Sequence, residues 1–290
     1  MRIVKKERGS GFYYYLQHSF RKKGKIFTKE KYLGKVIPKD LEELKTDFLN
    51  DLNKSRKKEL YNLFNKIKKN YQKEWKDLPD SIKNKITKQY AVDFTYNTNA
   101  IEGSTITLEE THEIVENKIA PNKPIKDIKE IEKHYESFME MLNSQDEIKN
   151  ALILYWHEKL FSETKRDIAG KYRNYLVRVG SYIAPDWQDV KNLMNDMIAF
   201  YKENKNMNPV ELSARIHYKF EKIHPFGDGN GRVGRILMNC ILHRNKYPML
   251  IIEHKKRLSY YKALNKEENQ FFEYFSRRYI KAYSRYLKMK

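Results

Sequence analysis

The chain has 290 residues, with 58 lysines and arginines against 38 aspartates and glutamates, which gives a formal net charge of +20. This length suits one large domain plus a small appendage, and the single cysteine, Cys240, excludes a disulfide within the chain. The start lacks an apolar run long enough for a signal peptide and no later stretch is long enough to span a membrane, so the sequence predicts a cytoplasmic protein without a membrane partner.

The excess positive charge has two interpretations. A basic protein attracts nucleic acid and other acidic partners. Here the excess is mostly lysine spread over the whole chain, together with abundant Asn, Ile and Tyr. We therefore attribute the charge mainly to a solvated, lysine-rich surface. Binding of nucleic acid stays an alternative that is not favoured.

The first 38 residues are β-prone. Residues 12–16 and 25–28 carry aromatic and β-branched side chains, with Lys-Lys-Gly around Gly24 between them. This pattern predicts an appended β-hairpin that ends near residues 32–34. Its aromatics lie beside basic residues and could stack on bases, although a small packed sheet is the favoured interpretation. The basic residues are Arg21, Lys22, Lys23 and Lys25.

Helical spacing then dominates the chain and predicts a mainly α fold. A helix from Pro38 to Leu78 starts a helical N-terminal region over residues 39–90, and a second helix runs from Pro79-Asp80 to about Ile101. Further helices are predicted from a capping box at Thr107 and Glu110 to about Asn117, and over residues 125–142, 147–161, 187–205, 209–223 and 267–289.

The helix that ends near Ile101 closes with a distinctive segment. Thr98 and Glu102 are four residues apart and share one face, while Gly103 is a natural C-terminal cap. A carboxylate at a helix C-terminus lies at the unfavourable end of the helix dipole unless a cation holds it. Glu102 is therefore either a solvent-facing residue or the partner of a cation.

Residues 223–235 read IHPFGDGNGRVGR and join two helices with buried apolar stripes. The glycines at 229 and 231 lie at the N-terminus of the second helix, where free amides and the helix dipole make an anion site. Arg232 and Arg235 are placed to bind phosphate oxygens. Asp228 suits Mg²⁺ that bridges phosphates, and His224 suits proton transfer near neutral pH. The residues predict a phosphate-transfer site.

This segment resembles the HPFx(D/E)GNGRxxR motif of the Fic family at each of its nine specified positions. The resemblance extends over residues 91–264 and leaves residues 265–290 as a C-terminal helix. It implies a Fic-type helical bundle and an enzyme that transfers AMP from ATP to a Tyr, Thr or Ser hydroxyl of a target protein or of the chain itself. Doc-type relatives, which phosphorylate, differ in the glycine stretch.

The resemblance implies a role for each motif residue. His224 would deprotonate the target hydroxyl, and Phe226 would anchor the loop in the core. Asp228 would hold Mg²⁺, with Mn²⁺ as an alternative, on the phosphates of ATP. The anion hole would consist of Gly229, Asn230 and Gly231, and the β- and γ-phosphates would be bound by Arg232 and Arg235.

Other segments acquire roles from the same resemblance. Thr98-Asn99-Ala100-Ile101-Glu102-Gly103 is similar to the inhibitory motif of the class with an N-terminal inhibitory helix, in which Glu102 would pair with Arg235. A short hairpin, predicted from the alternation in residues 176–185, would be the flap over ATP and target, with Val179, Gly180, Ser181 and Tyr182 at the site. Tyr260 and Tyr261 would line the adenine pocket, and Asn269 is a further candidate there.

Two alternatives stay open. Glu102 would align a water molecule and remove AMP if the enzyme is a deadenylylase. In the second, the protein is a nucleic-acid-associated regulator whose Fic site modifies itself. A homodimer is compatible with either.

Overall fold

The computed structural model describes residues 1–22 and 25–289. The chain divides into two units, Met1–Asn62 and Leu63–Lys290, and the boundary falls within the first helix, α1, Leu41–Asp77. Most of the chain is helical, which confirms the predicted fold class. No helix among the described residues is long and apolar enough to cross a membrane.

The first unit contains a three-stranded antiparallel sheet in the order β1-β2-β3, with β1 at Arg2–Arg8, β2 at Gly11–Lys22 and β3 at Lys25–Gly34. The predicted hairpin corresponds to β2 and β3; residues 23 and 24 of its turn lie outside the described residues. Strand β1 was not predicted. Five of its seven residues are charged, so it has no apolar alternation to mark it.

One face of this sheet packs on the start of α1. Leu16 of β2, Leu33 of β3 and Phe48 of α1 form a buried cluster. Burial of three large apolar side chains stabilises this small unit by roughly 1.5–3 kcal/mol each. The basic residues that were candidates for base binding are residues 21–23 and 25, and their side chains lie outside the described residues.

The second unit is an α-helical bundle with one two-stranded hairpin, β4 (Arg178–Val179) and β5 (Tyr182–Ile183). The helices that follow α1 are α2 (Asp80–Ile101), α3 (Leu108–His112), α4 (Ile125–Asn143), α5 (Asn150–Phe161), α6 (Val190–Glu203), α7 (Pro209–Ile223), α8 (Asn230–Arg244), α9 (Arg257–Leu264), α10 (Glu268–Ala282) and α11 (Ser284–Lys288).

Helix α8 lies at the centre of this bundle. Every residue from Asn230 to Leu242 is buried, and the apolar core around it comes mainly from α2, α4, α5, α6 and α7. Helix α7 starts at an Asn208 cap followed by Pro209, a strong helix-start signal. The loop between α7 and α8 is therefore held by two rigid, well-packed helices.

Three predicted helices differ from the structure. The helix after Thr107 has the predicted capping box, but it becomes a π-helical turn at Glu113–Asn117. The helix predicted over residues 187–205 begins as a 3₁₀ turn before α6. The final predicted helix breaks at Tyr283, and the break buries Tyr286, whose carbonyl accepts a hydrogen bond from Asn70 Nδ2 at 2.6 Å. No Gly or Pro marks that break.

Candidate active site

The loop between α7 and α8 is fixed by the residues at its ends and centre. His224 caps α7 in a left-handed conformation, with φ 50°, an uncommon backbone for a non-glycine residue and one that is frequent at functional sites. Asn230 bonds both backbone groups of Phe226, at 2.8 Å each. Phe226 is fully buried and stacks on the His157 ring at 3.8 Å, as expected of a loop anchor.

Gly229 occupies a position that no other residue fits. Its φ is +77°, and a Cβ atom there would lie 2.2 Å from Cε2 of Phe161. Both observations require glycine. The first N–H groups of α8 have no partner within the helix, and Gly231 lines the cavity beside the loop. The N–H of Gly229 itself is bonded to Asp228 Oδ1 at 2.5 Å.

Arg173 holds this loop from outside the motif, and the sequence analysis missed it. Its Nε donates to the His224 carbonyl at 2.8 Å and its backbone N–H to Pro225 O at 2.9 Å. Its Nη atoms donate to Tyr175 O at 2.9 Å and Pro185 O at 2.7 Å. This buried guanidinium ties the histidine to both ends of the hairpin segment. No local pattern identifies it, because its partners are backbone carbonyls that only the fold brings together.

His157 is a second missed residue that positions the loop. Its Nδ1 accepts from Gly170 N at 3.0 Å, so its Nε2 carries the proton and donates to Asp228 O at 3.0 Å. Burial lowers the pKa of His157 to about 4. The ring is therefore neutral at pH 7 and keeps this tautomer.

His224 lies at the edge of a cavity of about 360 Å³, a volume typical of small-molecule sites. Burial lowers the pKa of its imidazole below 6.5. The ring is thus neutral near pH 7 and able to accept a proton. The cavity is lined by Glu102, Val179, Gly180, Ser181, Tyr182, Glu221, Lys222, His224, Gly231, Arg235, Tyr260, Tyr261, Leu264 and Asn265.

The structure brings most of the predicted nucleotide-binding residues to this cavity. The four hairpin residues, 179–182, line one side, and the hydroxyl of Tyr182 donates to Lys222 O at 2.7 Å. Tyr260 is buried and its hydroxyl lies 2.7 Å from His217 Nε2, while Tyr261 donates to Ile101 O at 3.1 Å.

Asn269 is placed elsewhere. It lies in α10, where its Oδ1 accepts from Arg215 Nη2 at 3.0 Å. The asparagine that lines the cavity is Asn265, at the C-terminus of α9. The helix break between α9 and α10 separates the two residues, and the sequence contains no signal that chooses between them.

Arg235 of α8 is buried against the C-terminal end of α2. Its Nε donates to Thr98 Oγ1 at 2.5 Å, and its Nη2 donates to Thr98 O at 3.1 Å and to Glu102 Oε1 at 2.6 Å. The contact between Glu102 and Arg235 that the resemblance implies is thus present. Gly103, with φ +97°, ends α2 next to it.

The Glu102 carboxylate also reaches the start of α8. A Cβ atom on Gly231 would lie 2.2 Å from Glu102 Oε1, so glycine leaves the space that the carboxylate fills. The Glu102 carboxylate therefore accepts a hydrogen bond from Arg235 and also lies beside Gly231 at the N-terminus of α8. An anionic ligand at this helix start would compete with it for both.

A second cavity, of about 200 Å³, is also lined by Glu102 and contains the remaining charged residues of the motif, Asp228 and Arg232. Arg232 pairs with the buried Glu130, and its Nη2 lies 3.4 Å from Asp228 Oδ1. Lys165 Nζ lies 2.5 Å from Asp228 Oδ2 and 3.0 Å from Glu130 Oε1. Glu130 and Lys165 are further residues that the sequence analysis did not identify.

Asp228 is a carboxylate in a cationic setting. Its partial burial would raise its pKa, but Arg232, Lys165 and the Gly229 N–H lower it to about 2. No cluster of three or more His, Cys, Asp or Glu side chains in the described part of the chain is placed to hold a metal ion. A single carboxylate fits Mg²⁺ that takes its other ligands from phosphates and water, and Asp228 is exposed enough, at 43% of its side chain, to supply it.

Comparison with known proteins identifies the same region. The sequence profile of the Fic/DOC family matches residues 147–242. A protein named protein adenylyltransferase Fic from Nematostella vectensis is 36% identical over 178 residues, which are 59% of this chain and 42% of that protein. The chain thus spans less than half the length of that relative.

Solved structures extend the similarity to the fold. Fic-1 from C. elegans, residues 134–508, superposes with a TM-score of 0.70 at 25% identity, over 82% of this chain and 74% of that one. A Fic family protein from Desulfovibrio desulfuricans G20 superposes with a TM-score of 0.67 at 26% identity, over 79% of this chain and 74% of that one.

Proposed function

We propose that the chain, whose residues 147–242 match the Fic/DOC family, is a protein adenylyltransferase that uses ATP to attach AMP to a hydroxyl side chain of a protein. One observation carries the proposal. A neutral histidine, the open amides of a helix N-terminus and a buried arginine meet at one cavity, with a hairpin on its other side. Relatives named protein adenylyltransferases support it.

The residues of this cavity divide the reaction between them. His224 takes the proton of the target hydroxyl, whose oxygen then forms a bond to the α-phosphorus of ATP. The bond from that phosphorus to the bridging oxygen breaks, and pyrophosphate leaves. The first amides of α8 and Arg235 bind the phosphates, and fixed donors of this kind need no reorganisation during the reaction. When bound at Asp228, Mg²⁺ would supply positive charge to the leaving pyrophosphate.

The hairpin β4–β5 supports the protein part of the substrate. Val179 and Ile183 are exposed on it, and Gly180 and Ser181 form its turn beside His224. A two-stranded hairpin has free edges that can pair with an extended segment of a target. We therefore assign the hairpin the role of a flap that aligns the target hydroxyl.

We further propose that the enzyme is autoinhibited by Glu102, and that Thr98, which also accepts hydrogen bonds from Arg235, helps to keep this arginine in place. The carboxylate bonds Arg235 at 2.6 Å and fills the space at Gly231. A triphosphate that uses Arg235 must displace it.

The experiment that tests the function is intact-mass measurement of the chain after incubation with Mg²⁺ and each of the four nucleoside triphosphates. A mass increase of one AMP with ATP is expected; no increase for wild type or Glu102→Gly contradicts self-transfer.

A second candidate function uses the same site in reverse. Glu102 lines the cavity of His224, so its carboxylate can also orient a water molecule toward an AMP-modified side chain. Incubation with an AMP-modified protein separates the two, because only a deadenylylase releases AMP. A nucleic-acid partner and a homodimer remain predictions from the sequence, with no further support from the site.

The pH dependence of transfer follows from His224. The base acts only when neutral, and burial lowers its pKa below 6.5. As the pH falls, kcat/KM should therefore decline with a midpoint below pH 6.5 rather than at it. Rates of self-labelling between pH 5 and 8 check this. Glu221→Gln is the control. Burial raises the pKa of the nearby Glu221 to about 7, so this carboxyl group also titrates in the range measured, and the variant removes it. A midpoint at or above pH 6.5 in Glu221→Gln contradicts the prediction.

Removal of the Asp228 carboxylate should abolish both transfer and the effect of Mg²⁺ on ATP affinity. The carboxylate is the group in the motif that suits Mg²⁺, and without it the ion is held by phosphate and water alone. Titration of Asp228→Ala with ATP, with Mg²⁺ and with EDTA, should give similar dissociation constants. Undiminished, Mg²⁺-dependent labelling by this variant would assign the metal to another residue.

A further inference from the structure

Lys165 occupies an unusual place for a positive charge. Its Nζ lies 2.5 Å from Oδ2 of Asp228, a residue that lines the second cavity. Lys165 also lines that cavity. Magnesium binds carboxylate oxygens at about 2.0–2.1 Å. An ammonium group and a divalent ion that share one carboxylate oxygen repel each other, so the two compete for Asp228.

The surroundings hold Lys165 without locking it. Its backbone N–H bonds Phe161 O at 2.8 Å, which fixes the start of the side chain. Its Nζ lies 4.7 Å from the centre of the Phe161 ring and 3.0 Å from Glu130 Oε1. A lysine has a flexible four-carbon stem. The ammonium group can therefore leave Asp228 and keep its contact with Glu130.

We propose that Lys165 is a resident counter-cation of Asp228, which a divalent ion must displace before it binds there with the nucleotide. This inference rests on the proposed function, because it takes Asp228 as the metal-binding residue. Before displacement, Lys165 neutralises Asp228 and lets the negatively charged phosphates approach without metal. After displacement, it pairs with Glu130.

The inference has a thermodynamic consequence. Lys165 favours binding of the nucleotide without metal and disfavours binding of Mg²⁺ at Asp228. It therefore reduces the factor by which Mg²⁺ increases the affinity for nucleotide. This factor is a coupling between two ligands and is measured without any turnover. Neutralising Lys165 should increase the factor about tenfold, which is ~1.4 kcal/mol. The effect is of this modest size because solvent screens the interaction of partly exposed charges, and the Asp228 side chain is 43% exposed.

The experiment measures binding of α,β-methylene-ATP, whose α–β linkage resists transfer, by calorimetry with Mg²⁺ and with EDTA. The coupling factor is compared between the wild-type chain and Lys165→Met. Lys165→Arg keeps the charge and should retain the wild-type factor. The matched control is Lys159→Met in α5, which removes an equal charge from a lysine paired with Glu140, and it should also match wild type.

The outcomes are distinct. A larger factor in Lys165→Met, with both controls at the wild-type value, supports the inference. An unchanged or smaller factor overturns it and makes Lys165 a structural residue that fixes the loop. Absence of nucleotide binding in every variant overturns the proposed function itself, and this inference with it. If Lys165→Met does not fold, Lys165→Gln carries the same expectation, because it also removes the charge and keeps a polar side chain beside Glu130.

Discussion

His224→Ala should abolish AMP transfer and leave nucleotide affinity within about twofold of wild type. A placed general base contributes roughly 10²–10⁴-fold to the rate. The groups assigned to the phosphates, the α8 amides and Arg235, do not depend on the imidazole for their positions. Asn230 fixes the loop through Phe226, and Arg173 bonds the carbonyl of residue 224 rather than its side chain.

Two measurements check this expectation. Self-labelling with ATP labelled at the α-phosphate should disappear in His224→Ala, and calorimetry with α,β-methylene-ATP should still show binding. His254→Ala is the control, because it removes an imidazole from the short 3₁₀ turn before α9, outside the cavity lining. Wild-type labelling by His224→Ala would show that another group takes the proton.

The sequence predicts the centre of this site well because the relevant residues are adjacent. A loop with Pro225 and three glycines between two apolar helical stripes requires no knowledge of the fold. The same holds for the capping box at Thr107 and for α2, which ends at Ile101 as predicted. In each case, local geometry alone favours the observed conformation.

The residues that support the site could not be predicted in this way. Arg173, Glu130 and Lys165 come from three different segments and act through contacts that only helix packing creates. Strand β1 was missed for a related reason, since it is defined by pairing with β2 rather than by its own composition. Tertiary contacts decided each of these cases, and a single sequence does not record them.

Glu102→Gly should increase AMP transfer about ten- to a hundredfold. The carboxylate competes with the nucleotide for Arg235, which it bonds at 2.6 Å, and it fills the space at Gly231. A hydrogen bond between charged groups contributes about 1.5–3 kcal/mol, and ~1.4 kcal/mol corresponds to a factor of ten. Thr98 still bonds Arg235 through its hydroxyl and carbonyl oxygens, so the arginine should stay in place for the γ-phosphate.

Two further variants separate the loss of inhibition from other effects of Glu102→Gly. Glu102→Gln keeps the size of the side chain and removes its charge, so any gain it shares with Glu102→Gly comes from the lost carboxylate rather than from a looser helix end. Arg235→Ala in the Glu102→Gly background should cancel the gain, because the released arginine is then absent. Equal labelling by wild type and Glu102→Gly would show that Glu102 only ends α2. Loss of AMP removal without a gain in transfer would instead identify Glu102 as the residue that orients water in a deadenylylase.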